Sequence, residues 1–549
     1  RGTLNGLRGH MVAGAAVLSC ALAASCQANL AGRAEGPAAQ HAVRTAPGGT
    51  RVGGQNALAW WSTLLSSSND LGPSQARQSS VIFDLGAAHD SAVLSVWAQR
   101  QHLQVQWYAG KSVAVISGPP ARLGAALGVK IDDYTSPTGQ RFYAATRQAM
   151  VPSALRGVVA AVGRISDYKD FSDAYVQPGG LSPTALMRAY DATPLRQQGY
   201  TGAGETVVAF EIDGYIQSDL NAFTARYHLR PFTAQGGFSV VGGEAGKPMG
   251  ESDMDLETVR EIAPEAKIVY YNLFRGATSS STYPELLVTA FSYVAQHYPG
   301  SVWTLSIGGC EKASGYANLA AENRAATVGE QTGTSIFAAS GDTAGLECVD
   351  QNDWGTAPTS DDVGVWNPAV LPAVTGVGGT TLSVTTSGSY GAESAWFYPV
   401  LGQGTSGGIS TVLAQPSWQV GQGLPTPAGA GRQVPDVSAI GDPLTGNTIY
   451  NGGNLTTGGG TSLATPVWAA FTALIDEYLH QKGEAPAGFL NPALYYLADH
   501  PQAYPPFHAV PTGGNNIWRN GAGYNQSTGL GSPDVYNLAR DLVAYEAGR

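Results

Sequence analysis

The chain contains 549 residues, of which 43% are hydrophobic and 13% are charged, and its formal net charge is −11. This amount of apolar sequence predicts two or three globular domains and excludes intrinsic disorder. Phosphate recognition requires a basic surface, so 30 Lys and Arg residues against 41 Asp and Glu argue against a nucleic-acid-binding protein.

The N-terminal segment has the pattern of an export signal. Arg8 precedes an apolar run at residues 12–24, which has the length of a signal-peptide hydrophobic region and is too short to span a bilayer. We therefore expect a secreted protein without a membrane span. A lipoprotein anchor at Cys20 or Cys26 is the less favoured alternative.

The chain divides by charge. Residues 1–165 carry 14 Lys and Arg against 6 Asp and Glu, whereas residues 166–549 carry 16 against 35. Opposite net charges are compatible with complementary docking surfaces, although two unrelated domains would also explain them.

The basic part has the pattern of a small α+β domain. Apolar runs predict strands, and other segments have helical patterns; the strands fall at 81–83 and 112–116 and the helices at 120–128 and 153–163. Residues 166–183, with three aspartates and a Pro-Gly-Gly segment, predict a linker.

After the linker, short β-rich runs alternate with amphipathic stretches, which is typical of a mostly parallel sheet covered by helices on both faces. The predicted strands are 207–212, 267–273, 302–307, 335–339 and 373–377, and the predicted helices are near 217–228, 252–262, 283–297 and 316–330. We therefore predict a doubly wound α/β domain.

A Gly-rich turn at residues 458–460 leads through Thr461 and Ser462 into a long apolar helical stretch. A serine at a helix start lies near free backbone N–H groups and the positive end of the helix dipole, where a nucleophile could act. The structural alternative is a serine that only caps the helix.

None of the nine histidines lies in a His-Gly-Thr or His-Gly-Ser context, so a Ser-His-Asp triad is poorly supported. Carboxylates are better placed. Glu251 and Asp255 are four residues apart and share one helix face, where an acidic working pH would relieve their repulsion. A solvated acidic first helical turn is the alternative.

Asp342 follows the predicted strand 335–339. Ligands of α/β sheets bind at the carboxyl ends of strands, so Asp342 is a third candidate. The alternative is a turn aspartate that caps the next segment.

Several motifs together resemble the sedolisin family, the serine-carboxyl peptidases, which have a subtilisin-like fold. They include Glu251-x-x-x-Asp255, Ser340-Gly341-Asp342 and Gly459-Gly460-Thr461-Ser462-x-x-x-Pro466, with further similar stretches at 376–380, 406–408, 416–419, 435–438 and 528–533. Residues of about 77 to 165 resemble the family's propeptide domain, which implies a small, ferredoxin-like α+β fold.

The resemblance implies a role for each matching residue. Ser462 would be the nucleophile, Glu251 the general base, Asp255 the carboxylate that orients Glu251, and Asp342 the oxyanion stabiliser. Glu211 would extend the carboxylate network, and Gly460 and Thr461 would support the turn. A segment that carries Trp in several relatives reads Ser306-Ile307-Gly308 here, which puts the outer part of the Glu211 network in question.

The positions that match the family's calcium site also differ from the family's pattern. Ala509 and Asn525 stand where relatives have aspartates, which leaves weak oxygen ligands at Val510, Gly521, Gly523 and Asn525. We therefore expect no cofactor in the chemistry and little calcium dependence.

The resulting interpretation is a secreted acid endopeptidase made as a zymogen. Signal and spacer would occupy residues 1–50, the propeptide 51–165, the linker 166–183 and the catalytic domain 184–549. Its partners would be protein or peptide substrates and its own propeptide, and we expect a monomer. The alternatives are a catalytically decayed exported binding protein on the same scaffold and a protease of the Ser-His-Asp type.

Cys310 and Cys348 lie 38 residues apart. In an oxidising compartment they could form a disulfide, but two buried free thiols fit the sequence nearly as well.

Overall fold

The structure is a computed structural model. It describes residues 180–277, 283–348, 363–398, 403–421, 424 and 431–547, together with N-terminal residues 12–13, 50–51, 65–66, 68–85, 91–108, 113–135, 141–147, 149–159, 161–162 and 165. Most of the predicted signal region and most of the predicted linker lie outside these residues.

The described residues of the N-terminal part form short strands and helices. The strands are β1 (Val12–Ala13), β2 (Thr50–Arg51), β3 (Asn69–Pro73), β4 (Ser79–Asp84), β5 (Gln104–Tyr108), β6 (Val113–Gly118), β7 (Ile131–Thr135), β8 (Arg141–Ala145) and β9 (Ala161–Val162), and the helices are α1 (Ser91–Arg100) and α2 (Pro120–Leu127). Two antiparallel sheets form, in the orders β3-β7-β8 and β5-β6-β4-β9. Their strands and helices share an apolar core that includes Phe83, Leu94 and Ile116.

One N-terminal prediction fails and one helix was missed. The helix predicted at 153–163 is wrong: only Ser153–Leu155 forms a 3₁₀ turn, and residues 161–162 pair with β4 instead. Gly157 has φ 88°, a left-handed conformation that interrupts a helix. Helix α1 was not predicted, and its residues Leu94 and Trp97 are buried.

The central element is an eight-stranded, mostly parallel sheet that positions the catalytic candidates. Its strands are β10 (Thr206–Glu211), β11 (Phe238–Val241), β12 (Lys267–Asn272), β13 (Val302–Leu305), β15 (Ser335–Ala339), β17 (Thr375–Val384), β18 (Tyr390–Ala395) and β23 (Val437–Ile440). The order is β11-β12-β10-β13-β15-β17-β18, with β23 also paired to β17, and only β18 is antiparallel. The predicted strands are confirmed, except that β17 begins two residues later than expected and is longer.

Both faces of the sheet are buried, as the β-rich runs require. Along β10, Val207 and Ala209 belong to one apolar core, whereas Val208 and Phe210 belong to the other, because successive side chains point to opposite faces. The helices that cover the sheet are α3 (Pro183–Ala189), α4 (Thr193–Gln197), α5 (Gln217–Tyr227), α6 (Glu251–Ile262), α7 (Tyr283–His297), α8 (Glu311–Glu330), α9 (Gly460–Lys482), α10 (Asn491–Asp499) and α11 (Val535–Ala547).

Helices α6 and α9 pack together and carry three of the four candidate catalytic residues, Glu251, Asp255 and Ser462. All twelve residues of α6 are buried, and α9 is buried from Gly460 to Leu479. Trp468 anchors α9 to the sheet, since its indole N–H donates to Ser438 O at 2.8 Å and its ring stacks on Phe337.

The remaining strands are short and lie around the sheet. They are β14 (Ile307–Cys310), β16 (Trp366–Asn367), β19 (Phe397–Tyr398), β20 (Gln403–Gly404), β21 (Gly408–Ala414), β22 (Gly431–Val434), β24 (Thr448–Asn451), β25 (Asn454–Thr457), β26 (Phe507–His508), β27 (Trp518–Arg519) and β28 (Ser532–Pro533). Cys310 and Cys348 form a disulfide, which decides the question that the sequence left open. No helix among the described residues is long and apolar enough to cross a bilayer.

Candidate active site

Ser462 lies in the first turn of α9. The helix begins at Gly460, whose φ of 82° is left-handed, so Ser462 is its third residue and does not cap it. The Ser462 side chain is buried and hydrogen-bonds the Glu251 carboxyl group. The serine is therefore in direct contact with a carboxyl group that can take its proton.

Glu251 and Asp255 are buried, which excludes a solvated acidic helix turn. Glu251 is 4% exposed and Asp255 is fully buried. Burial and then the charge of Asp255 raise the pKa of Glu251 well above its ordinary value, while the hydrogen bond from Ser462 opposes this shift. Burial likewise raises the pKa of Asp255. Carboxyl groups placed in this way share protons rather than ionise independently.

Ser306, directly after β13, connects Asp255 with the backbone of the candidate nucleophile. Its hydroxyl lies 2.7 and 2.9 Å from the two carboxyl oxygens of Asp255 and 3.0 Å from Ser462 O. A hydroxyl has one proton, and a carbonyl oxygen only accepts. When Ser306 donates to Ser462 O, the contact with Asp255 is therefore a hydrogen bond only if Asp255 is protonated.

Asp342 caps helix α9 and not the segment that follows Asp342 in the chain. Its Oδ1 accepts hydrogen bonds from the Thr461 backbone N–H and the Thr461 hydroxyl, both at 2.8 Å. Its Oδ2 is buried and has no hydrogen-bond partner among the described residues. Burial raises the pKa of Asp342 to about 6, so below that pH the free oxygen can carry a proton.

A buried glutamate, Glu347, holds the loop that contains Asp342. Its Oε1 accepts from the Thr343 backbone N–H at 2.8 Å and from the Thr343 hydroxyl at 2.5 Å, and it also contacts the Ser406 hydroxyl. The Cys310–Cys348 disulfide begins at the next residue. The loop that aims Asp342 is therefore fixed from two sides.

Glu211, at the end of β10, joins the site through Ser252. Ser252 Oγ lies 2.8 Å from Glu211 Oε2 and 2.5 Å from Asp213 Oδ1. Burial, and then the charge of Asp255, raise the pKa of Glu211 well above its usual range. Glu211 thus belongs to the buried carboxyl cluster.

Four of the six described histidines have contacts that do not involve this cluster. His480 contacts Glu205 at 2.9 Å near the other end of α9, 18 residues and about 27 Å along the helix from Ser462. His508, His297 and His500 stack on neighbouring tyrosine rings. The geometry therefore favours a carboxyl base over a histidine.

The loops that match the family's calcium site do not fit a cation. Val510 O accepts hydrogen bonds from the side-chain amides of Asn520, at 2.8 Å, and Asn525, at 3.4 Å. Asn525 Oδ1 accepts from Ser527 N, Thr528 N and the Thr528 hydroxyl at 3.1, 2.9 and 3.0 Å. Protein hydrogen-bond donors thus already occupy two of the oxygens that calcium would need, Val510 O and Asn525 Oδ1. The described residues also contain no group of three His, Cys, Asp or Glu suited to a metal.

Sequence reasoning missed Ser252, Ser306, Glu347 and Asp213. Ser252 and Ser306 contact partners that are distant in sequence, Glu347 contacts the distant Ser406 as well as nearby Thr343, and no local pattern indicates these contacts. Asp213 follows the predicted strand 207–212 directly, so the strand-end criterion that selected Asp342 would also have selected Asp213.

Comparisons with known proteins show the family to which the chain belongs. A model of the subtilase family matches residues 238–489. Kumamolisin from Bacillus sp. (strain MN-32) is 29% identical over 467 residues, which cover 78% of each chain, and sedolisin from Pseudomonas sp. (strain 101) is 30% identical over 431 residues, which cover 73% of this chain and 70% of sedolisin. A solved structure of Pseudomonas sedolisin, a serine-carboxyl proteinase complexed with two molecules of pseudo-iodotyrostatin, is similar with a TM-score of 0.57 and 28% identity, covering 67% of this chain and 99% of that one. The chain belongs to the sedolisin family, and it is a serine-carboxyl peptidase with a subtilisin-like fold.

Proposed function

We propose that this peptidase is a secreted, acid-active endopeptidase made as a zymogen, in which Ser462, Glu251, Asp255 and Asp342 perform the chemistry. The observation that carries the proposal is the direct hydrogen bond between Ser462 and the buried carboxyl group of Glu251. Protein or peptide substrates follow from the family, and the chemistry of these four residues requires no cofactor.

In the first half of the reaction, Ser462 Oγ attacks the peptide carbonyl carbon while its proton passes to Glu251. Asp342, protonated on Oδ2, donates a hydrogen bond to the oxyanion that develops. Glu251 then gives its proton to the leaving amine, which breaks the peptide bond and leaves an acyl group on Ser462.

In the second half, water attacks the acyl carbon, again with Glu251 as base, and the acid product is released. Asp255 assists in its protonated form, in which it donates a hydrogen bond to Ser306 Oγ. A neutral Asp255 does not repel the negative charge on Glu251. An unperturbed histidine would already be protonated in acid and could not act as base, whereas in a cluster of carboxyl groups that share protons Glu251 can be the ionised member while Asp255 is neutral.

The zymogen proposal rests on the order of the segments and their charges. Residues 51–165 would be the propeptide and residues 166–183 the linker, and processing would follow in the linker or just after it. The first 165 residues have a net charge of +8 and the remainder −19. Acidification would neutralise carboxylates on the acidic part and so weaken the electrostatic attraction between the two parts. The apolar run at 12–24 supports secretion, and we propose a monomeric enzyme.

The test compares the precursor with Ser462→Ala, using denatured globin as substrate from about pH 2.5 to about 8, with gels to follow loss of the propeptide. We expect proteolysis and maturation only in acid, and both lost in Ser462→Ala. The matched control is Thr472→Ala, which removes another buried hydroxyl of α9, one that donates to Trp468 O at 2.9 Å, and should remain active.

Three outcomes would contradict parts of the proposal. Equal maturation rates at neutral and acid pH would exclude the acid trigger. An optimum in alkaline solution would indicate a histidine base. A folded precursor that is inactive at every pH would favour a catalytically decayed binding protein.

A further inference from the structure

The helix that begins with Glu251 has no capping side chain of its own. Gly250 occupies the N-cap position with a left-handed φ of 97°, and it has no side chain to accept hydrogen bonds from the first turn of α6. The first backbone N–H groups of a helix have no partners within the helix, and leaving them buried and unsatisfied is costly. In a helix that is buried along its whole length, another element must supply the acceptor.

Asp213, in the loop after β10, supplies this hydrogen-bond acceptor. Its Oδ2 accepts from Met249 N at 2.7 Å and its Oδ1 from Ser252 N at 3.1 Å, and its carboxyl group also accepts from the backbone N–H of Glu251. Both oxygens of one buried carboxyl group therefore hold Met249, two residues before the helix, and the first two residues of the helix.

Asp213 is itself rigidly placed. It is 1% exposed and lies two residues beyond β10, a central strand of the sheet. Its backbone carbonyl accepts a hydrogen bond from the Tyr270 hydroxyl of the adjacent strand β12. The first turn of α6 is thereby held in a fixed position relative to the central sheet.

Ser252 connects this cap to Glu211. Ser252 Oγ contacts Asp213 Oδ1 and Glu211 Oε2 at 2.5 and 2.8 Å, but its hydroxyl carries only one proton. Both contacts are hydrogen bonds when a protonated Glu211 donates to Ser252 Oγ and Ser252 donates to Asp213. In this arrangement Glu211 is neutral, and Asp213 keeps the charge that suits a helix N-terminus.

We propose that Asp213 is a positioning residue for Glu251: by capping α6 from the end of β10, it fixes the backbone that aims the Glu251 carboxyl group at Ser462. Asp213 does not contact the reacting atoms, so its effect on the reaction passes through Glu251. The inference rests on the proposed role of Glu251 as general base.

The test is Asp213→Asn, which preserves size but replaces one acceptor oxygen with a donor NH₂. Displacement of a catalytic group by about 1 Å can cost about 100-fold in rate, so we expect kcat to fall by about that factor while KM stays within about threefold. The matched control is Glu477→Gln, because Glu477 Oε2 also accepts three backbone N–H groups, those of Thr201, Gly202 and Ala203, at 2.6, 2.7 and 3.2 Å. We expect a similar loss of melting temperature in both variants and a loss of kcat in Asp213→Asn alone.

The pH profile separates positioning from general destabilisation. The titratable groups around Asp213 are Glu211 on β10, Tyr270 on β12, and Glu251, Asp253 and Asp255 on α6. Displacement of Glu251 among them should change the pH dependence of kcat in Asp213→Asn, whereas a purely structural defect should lower kcat equally at every pH.

A second variant keeps the inference testable if Asp213→Asn fails to fold. Ser252→Ala removes the hydrogen bonds of the Ser252 hydroxyl to Asp213 and Glu211 with little change in volume, and we expect kcat to fall by at least about tenfold, the value of one such bond. Wild-type kcat in folded Ser252→Ala or in folded Asp213→Asn, or equal loss of kcat in Asp213→Asn and Glu477→Gln, would overturn the inference. Full activity of Glu251→Gln would instead overturn the proposed function, so the two failures are distinguishable.

Discussion

Thr461 donates two hydrogen bonds to the same oxygen of Asp342, one from its backbone N–H and one from its hydroxyl, each at 2.8 Å. These bonds tie the proposed oxyanion stabiliser to the residue next to Ser462. They also leave Asp342 Oδ2 without a partner among the described residues, so this oxygen is the one available to hold a proton. Asp213 caps α6 in the same way as Asp342 caps α9. Each of the two helices therefore has a glycine at its N-cap and an aspartate from another part of the chain as its capping side chain.

Removing the side chain of Asp342 should mainly slow the chemical step. We expect Asp342→Ala to lower kcat by about 100-fold to 1000-fold with a small change in KM, the usual cost of losing one oxyanion donor. Steady-state kinetics on a peptide substrate measure both constants. Asp476→Asn, an alteration of a buried aspartate at the far end of α9, should leave kcat nearly unchanged. An equal loss of kcat in the two variants would contradict the role of Asp342.

The amide variant of the same residue should change the pH dependence. Burial raises the pKa of Asp342 to about 6, and the proposed donor is its protonated form, so activity should decline as the pH rises through about 6. Asp342→Asn retains an N–H donor that does not titrate. We expect this variant to keep more activity than Asp342→Ala and to decline only at higher pH, as measured by kcat against pH. An unchanged decline near pH 6 would show that another group controls it.

The folded protein should be more stable in acid than at neutral pH. Burial raises the pKa of Glu205, Glu347 and Asp476 to about 7 and of Asp253 to about 8. Because such groups ionise near pH 4 in an unfolded chain, the folded state binds more protons between about pH 4 and 8, and stability falls as the pH rises through that range.

Calorimetry of Ser462→Ala, which prevents self-digestion, would measure this trend as a melting temperature that falls from about pH 4 to about pH 8. In the same background, Asp476→Asn removes one of the titrations and should flatten the trend. A melting temperature that rises over this range would contradict the prediction.

Chelation should leave the protein folded and active. Asn520 donates to Val510 O at 2.8 Å, Thr512 O at 3.2 Å and the Thr528 hydroxyl at 3.2 Å, and these bonds connect the loops that a cation would otherwise join. We expect EDTA to change neither the melting temperature nor kcat. A large fall in melting temperature with EDTA would contradict this.

Removing the Asn520 side-chain amide should lower the stability of the protein, whereas chelation should not. Asn520→Ala should destabilise the protein by about 1–3 kcal/mol, because buried acceptors lose their donor. Thermal or denaturant unfolding measures the loss. The matched control is Asn454→Ala, since the Asn454 amide donates to Gly452 O at 3.0 Å in an exposed turn and should contribute little.

The sequence alone determined the alternation of strands and helices, because hydrophobic periodicity reflects the local geometry of each element. The strand Ser335–Ala339 and the helix Tyr283–His297 were predicted with their observed bounds. The sequence also determined the four candidate catalytic residues, since their types and spacing match one family in the correct order. Sequence reasoning failed at 153–163, where a left-handed glycine and pairing with a distant strand outweighed a helical pattern.

Only the tertiary structure decided the environment of those residues. Whether the acidic turn at Glu251 is solvated or buried depends on the packing of α6 against α9, and the partner of Asp342 is a helix 119 residues away in the chain. The pairing of Cys310 with Cys348, the cap from Asp213 and the amide bonds of Asn520 are likewise contacts between segments that no local pattern connects. Burial and long-range hydrogen bonding set the pKa values and the aim of the catalytic groups, and both properties exist only once the chain has folded.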